Sequence, residues 1–216
     1  MRCLTYFEFS LFLICASDAS IHGGSFLAMA GEKTIVIACD SRYSSIDTGS
    51  FKIGNLPRSI FRVGSRSIVG CFGLDADSNY LMNWFGSLLP ELYTNKMCAY
   101  GVAQSLSDKL YSSRLICSPI VVGLSEDDEP YICTMDGLGA KSESKDFAVL
   151  GTSSPGLFAI CESLYVPGSH PVELVKIAEK CLKRALERDV VSGGDVKIFT
   201  ITPLGIYSKS FSTNDT

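Results

Sequence analysis

Histidine is nearly absent from this 216-residue chain, which contains only His22 and His170. A mechanism that needs a histidine base, or a metal site built from several histidines, is therefore disfavoured. The chain also lacks runs of Lys and Arg, and its net charge is −4 at pH 7, which argues against nucleic acid as a partner. After residue 22, no apolar stretch approaches the roughly 20 residues that cross a membrane. We therefore expect no nucleic-acid partner, no membrane span, and no metal or other cofactor.

The nine cysteines contain no C-x-x-C pair, and most of them lie in apolar segments such as residues 37–39 (IAC). Single cysteines in apolar surroundings are typical of reduced core thiols in an intracellular protein, and less so of a disulfide framework or a zinc site. Hydrophobic residues make up 46% of the chain and charged residues 19%. This composition predicts one folded domain with a sizeable core.

The first 22 residues form a segment with a different character. Residues 11–16 (LFLICA) resemble the apolar core of a signal peptide, but Glu8 interrupts the stretch and Arg2 is the only basic residue before it. We therefore predict that residues 1–22 are an extension or propeptide-like segment and that residues 23–216 form the domain. Secretion or membrane tethering through this segment is an alternative interpretation.

The pattern of apolar residues predicts strands first and then alternating helices and strands. Alternating or β-branched runs predict strands, and apolar residues at i, i+3 and i+4 predict helices. The predicted strands are residues 25–30, 34–39, 59–63, 67–72, 120–124, 131–135, 147–150, 196–201 and 206–210, with a polar loop between the second and the third. The predicted helices are residues 81–92, 102–111, 157–164 and 171–187. Hairpins with helices segregated between them indicate an α+β fold, with two antiparallel sheets between helix layers.

Several segments carry side chains that resemble a known family at matching spacing. Residues 23–29 (GGSFLAM) lead to residues 38–42 (ACDSR), and residues 70–77 (GCFGLDAD) are similar to a glycine turn that enters a first helix. Residues 188–193 (RDVVSG) resemble an R-D-x-x-S-G loop. Together these segments resemble the beta subunits of the proteasome core particle, over about residues 23–210.

Two further segments are most like the non-catalytic beta type-3 class, namely residues 135–139 (MDGLG) and 161–167 (CESLYVP). The resemblance implies the four-layer αββα sandwich of N-terminal-nucleophile hydrolases. It also implies partners: the other beta subunits of a seven-membered ring, a second beta ring, an alpha ring, and assembly chaperones. The expected location is the cytoplasm and the nucleus, and the expected process is ubiquitin-dependent protein degradation.

Active members of that family use an N-terminal threonine, whose hydroxyl attacks the peptide carbonyl while its own α-amine accepts the proton. A lysine tunes that amine, and a glycine amide stabilises the oxyanion. Counting back from Asp40 places Gly24 at the nucleophile position, and aligning residues 60–64 places Ser59 at the lysine position. Gly73 matches the oxyanion glycine. The resemblance therefore implies a subunit without catalytic activity.

Three further family positions remain polar, at Asp40, Asp189 and Ser192. Without a nucleophile to orient, we expect these side chains to form loop and turn hydrogen bonds. Thr152 falls near a family serine, and we expect it to cap the helix that follows Pro155.

The alternative is an active N-terminal-nucleophile peptidase that uses Ser25 after cleavage behind Gly24. Ser25 lies one residue beyond the nucleophile position, and a slip of one residue along a strand turns a side chain to the opposite face. The lysine is also missing, so the structural role remains the first hypothesis.

A last implied site belongs to a neighbouring subunit. In the beta type-3 class, the segment that resembles residues 135–140 helps to line the substrate channel of the adjacent beta type-2 subunit. Asp136 matches the acidic residue of that segment, whereas Ala140 stands where the family often has cysteine. The alternative for Asp136 is a purely local role, because Asp-Gly pairs favour turns by themselves.

Overall fold

The computed structural model describes residues 21–45, 50–55, 60–94, 98–189 and 192–212. Ser59 and residues 1–20 lie outside this part of the chain. The described strands are β1 (Ile21–Gly23), β2 (Ser25–Gly31), β3 (Thr34–Cys39), β4 (Arg42–Ser45), β5 (Ser50–Asn55), β6 (Ile60–Val63), β7 (Ser67–Leu74), β8 (Cys117–Leu124), β9 (Pro130–Met135), β10 (Lys141–Ser144), β11 (Phe147–Gly151), β12 (Asp195–Thr202) and β13 (Gly205–Ser212). The described helices are α1 (Asp75–Thr94), α2 (Ala99–Ser113), α3 (Ser154–Leu164) and α4 (Pro171–Leu186).

The strands form two antiparallel sheets. In the first sheet the order is β10-β9-β8-β7-β1-β4-β5. β6 also belongs to this sheet, because it pairs with residues 67–70 of β7, whereas β1 pairs with residues 73 and 74 of the same strand. In the second sheet the order is β11-β2-β3-β12-β13. β1 lies between β7 and β4, so the three residues before Gly24 are an interior strand of the first sheet.

Three hydrophobic clusters define four layers. One joins α1 and α2 to the first sheet, a second joins the two sheets face to face, and a third joins α3 and α4 to the second sheet. Side chains alternate between faces along a strand, so in β2 Phe26 and Ala28 face the first sheet while Leu27 and Met29 face the helices. The α+β sandwich predicted from the sequence is therefore confirmed.

The prediction of a polar loop after β3 is wrong in part, because that segment contains β4 and β5. Their sequences, RYSS and SFKIGN, lack a regular apolar alternation. β4 pairs with β1, which lies about twenty residues earlier, so the local pattern does not show the pairing. β10 was also not predicted, because its sequence KSES is polar and the strand lies exposed at the sheet edge.

Six cysteines in the described part of the chain are buried as free thiols, and Cys98 is exposed. None of the described helices is long and apolar enough to cross a membrane.

Candidate functional site

Gly24 connects β1 to β2 and has a left-handed backbone, with φ of +82°. A Cβ atom at this position would lie 3.0 Å from Oδ1 of Asp40. Left-handed φ is strained for side chains other than glycine, and most of all for β-branched ones. The residue that the resemblance places at the nucleophile position is thus a glycine in a conformation that disfavours threonine.

β1, the strand directly before Gly24, is paired with a strand on each side. Gly23 pairs with Tyr43 on one side and with Gly73 on the other. Gly73 has φ of +138°, and a Cβ atom there would lie 2.6 Å from Cα of Cys117 on β8. Gly73, the expected oxyanion glycine, is thus enclosed between β1 and β8.

Asp40 is a buried carboxylate behind the β1–β2 junction, with 7% of its surface exposed. Its Oδ1 accepts a hydrogen bond from the backbone N–H of Ser25 at 2.6 Å, and its Oδ2 accepts one from the N–H of Gly193 at 2.5 Å. Burial raises the pKa of Asp40 to about 6, the two N–H groups oppose that rise, and the nearby charge of Asp189 adds to it. Asp40 therefore ties the start of β2 to the loop before β12.

A chain of hydroxyl groups lies next to this carboxylate. Ser153 Oγ donates to Ser25 Oγ at 2.6 Å, Ser25 Oγ lies 2.8 Å from Ser192 Oγ, and Ser192 Oγ lies 2.6 Å from Thr152 Oγ1. Thr152 Oγ1 donates to Oδ2 of Asp189 at 2.9 Å. A hydroxyl has one hydrogen and donates once, so Ser192 donates to Thr152 and Ser25 donates to Ser192. This chain of hydrogen bonds, called the relay below, therefore runs in a single direction, from the hydroxyl of Ser153 to the carboxylate of Asp189.

The relay includes two residues whose hydrogen bonds were not predicted from the sequence, Thr152 and Ser153. The predicted capping by Thr152 is wrong: α3 has Ser153 at its N-cap, with no side-chain capping bond, and Thr152 bonds to Asp189 and Ser192 instead. Sequence reasoning also missed Ser153, because its partner Ser25 lies 128 residues away. The one available signal was the hydroxyl-rich run GTSS at residues 151–154.

Ser25 itself is fully buried on the helix side of its sheet. Its Oγ accepts from the hydroxyl of Ser153 and, at 3.3 Å, from that residue's N–H, while its own hydrogen goes to Ser192. Both lone pairs and the hydrogen are thus engaged. A substrate carbonyl does not reach this oxygen in the present packing.

The Asp136 turn lies between β9 and β10. Oδ1 of Asp136 accepts hydrogen bonds from the N–H groups of Leu138 at 2.9 Å and Ala140 at 2.8 Å, and Ser107 Oγ donates to the carbonyl of Gly139 at 2.7 Å. Asp136 and Ala140 are exposed, and Leu138 is 65% exposed. The carboxylate shapes the turn with one oxygen while the turn faces solvent.

An apolar cavity of about 420 Å³ adjoins this turn. The residues that line it include Gly73, Ile116 and Leu138. The cavity thus connects the Asp136 turn with the strand that carries the expected oxyanion glycine. Among the described residues, no three His, Cys, Asp or Glu side chains are placed to hold a metal ion.

Comparison with known proteins places this arrangement in context. The family model described as "Proteasome subunit" matches residues 21–201. The chain is 34% identical to proteasome subunit beta type-3 of Picea mariana and to that of Oryza sativa subsp. japonica, in each case over 84% of this chain and 91% of the relative. It is 33% identical to proteasome subunit beta type-3 of Saccharomyces cerevisiae, over 86% of this chain and 92% of the relative.

Proposed function

This chain belongs to the proteasome subunit family, and we propose that it is a non-catalytic beta subunit of the proteasome core particle. The observation that carries the proposal is Gly24. This residue occupies the nucleophile position, has no hydroxyl, and adopts a φ of +82°. The names of the relatives, all proteasome subunit beta type-3 among those compared, support the assignment to the beta type.

The nucleophile is one of several catalytic groups that this chain lacks. A threonine-type mechanism also needs a free α-amine as base and a cation that tunes it. β1 pairs on both sides through Gly23, which supports retention of the upstream residues. Ser59 stands at the lysine position. Three groups of the mechanism are therefore missing, and a single substitution does not restore them.

The polar residues that remain serve to hold the site together. The relay from Ser153 to Asp189 joins β2, the β11–α3 junction and the loop between α4 and β12. Asp40 adds two bonds between β2 and that loop. A largely buried network of hydrogen bonds fixes one arrangement of the elements around it. We infer that these groups now stabilise the subunit.

In the particle, the chain would occupy one position of a seven-membered beta ring, next to a second beta ring and an alpha ring, in the cytoplasm and the nucleus. Assembly chaperones would act on it before the ring closes. The exposed Asp136 turn, with Leu138 at its tip, would line the substrate channel of a neighbouring subunit. Its two bonds to backbone N–H groups give the loop a defined shape for that role.

Co-purification at native size, followed by intact-mass analysis of this chain, tests the proposal. We expect the chain in a particle with alpha and other beta subunits, and a mass that retains residues before Gly23. A chain that starts at Ser25 would favour the peptidase that uses Ser25. Cleavage near Ala19 would favour secretion, and a chain found outside any particle would refute the assignment. Fractionation of cytoplasm and nuclei tests the location.

A further inference from the structure

A groove lined with lysines lies between α4 and β13, and none of the residues that line it belongs to the site described above. It has a volume of about 390 Å³. The residues that line it are Lys176, Glu179, Lys180, Lys183, Lys209 and Phe211. Helix α4 supplies all but the last two, which come from β13.

The groove is strongly positive although the chain as a whole has a net charge of −4. Four ammonium groups face one carboxylate among the lining residues, which leaves a local charge of +3. That carboxylate, Glu179, already forms an ion pair with Lys209. The three lysines of α4 therefore have no acidic counterpart among the residues that line the groove.

Lys180 has only basic side chains three or four residues away on α4, namely Lys176, Lys183 and Arg184, whereas Lys176 and Lys183 each also have Glu179 at such a spacing. Lys176 and Lys180 are four residues apart, Lys180 and Lys183 are three apart, and like charges at these spacings repel each other along a helix. All three are exposed. An acidic partner would remove this repulsion on contact.

The opposite face of α4 packs on the second sheet and fixes the position of the helix. Leu174, Ala178 and Leu182 are fully buried against the second sheet. The lysines are thus presented on a fixed helix, beside a half-buried aromatic ring, Phe211. Such a concave basic surface with an apolar patch matches a segment that carries several carboxylates and an apolar side chain.

We propose that this groove binds an acidic segment of a partner protein within the assembled particle. The inference rests on the proposed function, because it takes the particle as the place of contact. The carboxylates of the partner segment would pair with Lys176, Lys180 and Lys183, and an apolar side chain would lie on Phe211. Charge complementarity of this kind sets orientation and partner choice.

Zero-length carbodiimide cross-linking of the native particle tests the groove, since it joins a lysine to a carboxylate only at contact. We expect cross-links from Lys176, Lys180 or Lys183 to Asp or Glu of another chain. We also expect these lysines to react severalfold more slowly with an amine-acetylating reagent in the particle than after denaturation. Lys33 and Lys145, which are exposed elsewhere, provide the comparison.

Other results overturn the proposal. Cross-links that join these lysines only to Asp215 would assign the groove to the chain's own C-terminal residues. Protection that disappears after nuclease treatment would assign it to a nucleic acid. A chain that enters the particle while all three lysines react at the denatured rate refutes the groove and leaves the proposed function intact, whereas a chain that never enters a particle refutes both.

A neutralising variant gives an independent result. Glutamine has nearly the helix propensity of lysine, so the triple change Lys176→Gln, Lys180→Gln and Lys183→Gln should leave α4 folded. We expect severalfold less of this variant in the native particle when it competes with the wild-type chain. The matched control replaces Lys33, Arg62 and Lys145 by glutamine, which removes the same charge from exposed positions elsewhere. Equal incorporation of the two variants would refute the proposal.

Discussion

Ser25 Oγ and Ser192 Oγ lie 2.8 Å apart in the buried centre of the site, although 167 residues separate them in the chain. The contact joins the start of β2 to the loop before β12. For active members of the family, the resemblance implies that the polar groups of that loop orient the α-amine of the nucleophilic threonine. Here Ser192 of that loop contacts the hydroxyl of Ser25, which lies on the helix side of the sheet.

The first prediction concerns this contact. Ser192→Ala removes the acceptor of the buried Ser25 hydroxyl and the donor to the partly buried Thr152. An unsatisfied buried hydroxyl costs about 1–3 kcal/mol. We expect the backbone N–H of Ser153 to exchange with solvent roughly 5- to 30-fold faster in the assembled particle, if the loss is 1–2 kcal/mol. Ser112→Ala, an exposed site with a bond inside its own helix, is the control. Equal exchange in both variants would contradict a structural relay.

The second prediction concerns the pH dependence of stability at Asp40. Its pKa is raised from 3.8 to about 6 in the folded chain. The folded state therefore binds more protons than the unfolded state between these values, and its stability falls as pH rises through 6. From pH 5 to pH 7.5 the loss is about 1 kcal/mol.

Pulse proteolysis of the particle in urea, at pH 5 and at pH 7.5, measures this effect. Asp40→Asn is less stable at both pH values, because one of the two N–H groups of Ser25 and Gly193 then faces an amide NH₂. It should lack the part of the pH dependence that comes from the carboxyl group. An unchanged difference between wild type and variant across this range would show that Asp40 does not titrate there.

The sequence predicted the core of the fold because apolar residues there repeat with the period of each element. β3 (TIVIAC) is the strand that its β-branched run predicted, and it is buried on both faces. α4 places Leu174, Ala178 and Leu182 on one buried face. Such patterns are local, and burial follows from them.

Elements whose structure depends on distant pairing could not be predicted in the same way. β4 and β10 have few apolar residues, and each is a strand because another strand lies beside it. Thr152 had the sequence context of a helix cap, but it lies one residue before the N-cap Ser153, and its hydroxyl donates to the carboxylate of Asp189, 37 residues later. Gly24 and Ser59 became informative only through the family resemblance, because an isolated glycine or serine has no chemical signature.

The third prediction is that Gly24→Thr does not restore catalysis. The new side chain would have to adopt a left-handed φ and come close to Oδ1 of Asp40, and β1 would still precede it. An electrophilic inhibitor that reacts with N-terminal threonines should label the neighbouring subunits and leave this chain unmodified, in the wild type and in the variant. Mass spectrometry decides, and an adduct on residue 24 or on Ser25 would contradict the prediction.

A comparison of Gly64→Ala with Gly24→Ala separates the destabilisation caused by backbone strain from that caused by the contact with Asp40. Gly64 also has positive φ, at +65°, but no atom lies within 4 Å of a Cβ placed there. Gly24→Ala adds to the same strain the contact with Asp40 at 3.0 Å. We expect Gly24→Ala to be incorporated into particles less well than Gly64→Ala, and equal incorporation would show that Asp40 moves aside without cost.

The last prediction concerns Asp136. Asp136→Asn keeps an oxygen that accepts from the N–H groups of Leu138 and Ala140, and it removes the negative charge. If the turn lines a neighbour's substrate channel, the charge favours basic substrate side chains there by about 0.5–1 kcal/mol. Cleavage of such substrates by assembled particles should therefore fall relative to the other peptidase activities. The difference should shrink at high salt, because salt screens exposed charges.

Asp127→Asn is the matched control for this measurement, because it removes the same charge from an exposed turn between β8 and β9. It should leave the ratio of the peptidase activities unchanged. Asp136→Ala adds a second comparison, since it removes both the charge and the acceptor of the turn. If Asp136→Ala lowers cleavage of basic substrates and Asp136→Asn does not, the carboxylate acts by shaping the turn. If Asp136→Asn lowers it as much as Asp136→Ala does, and salt weakens the effect, the charge itself reaches the substrate.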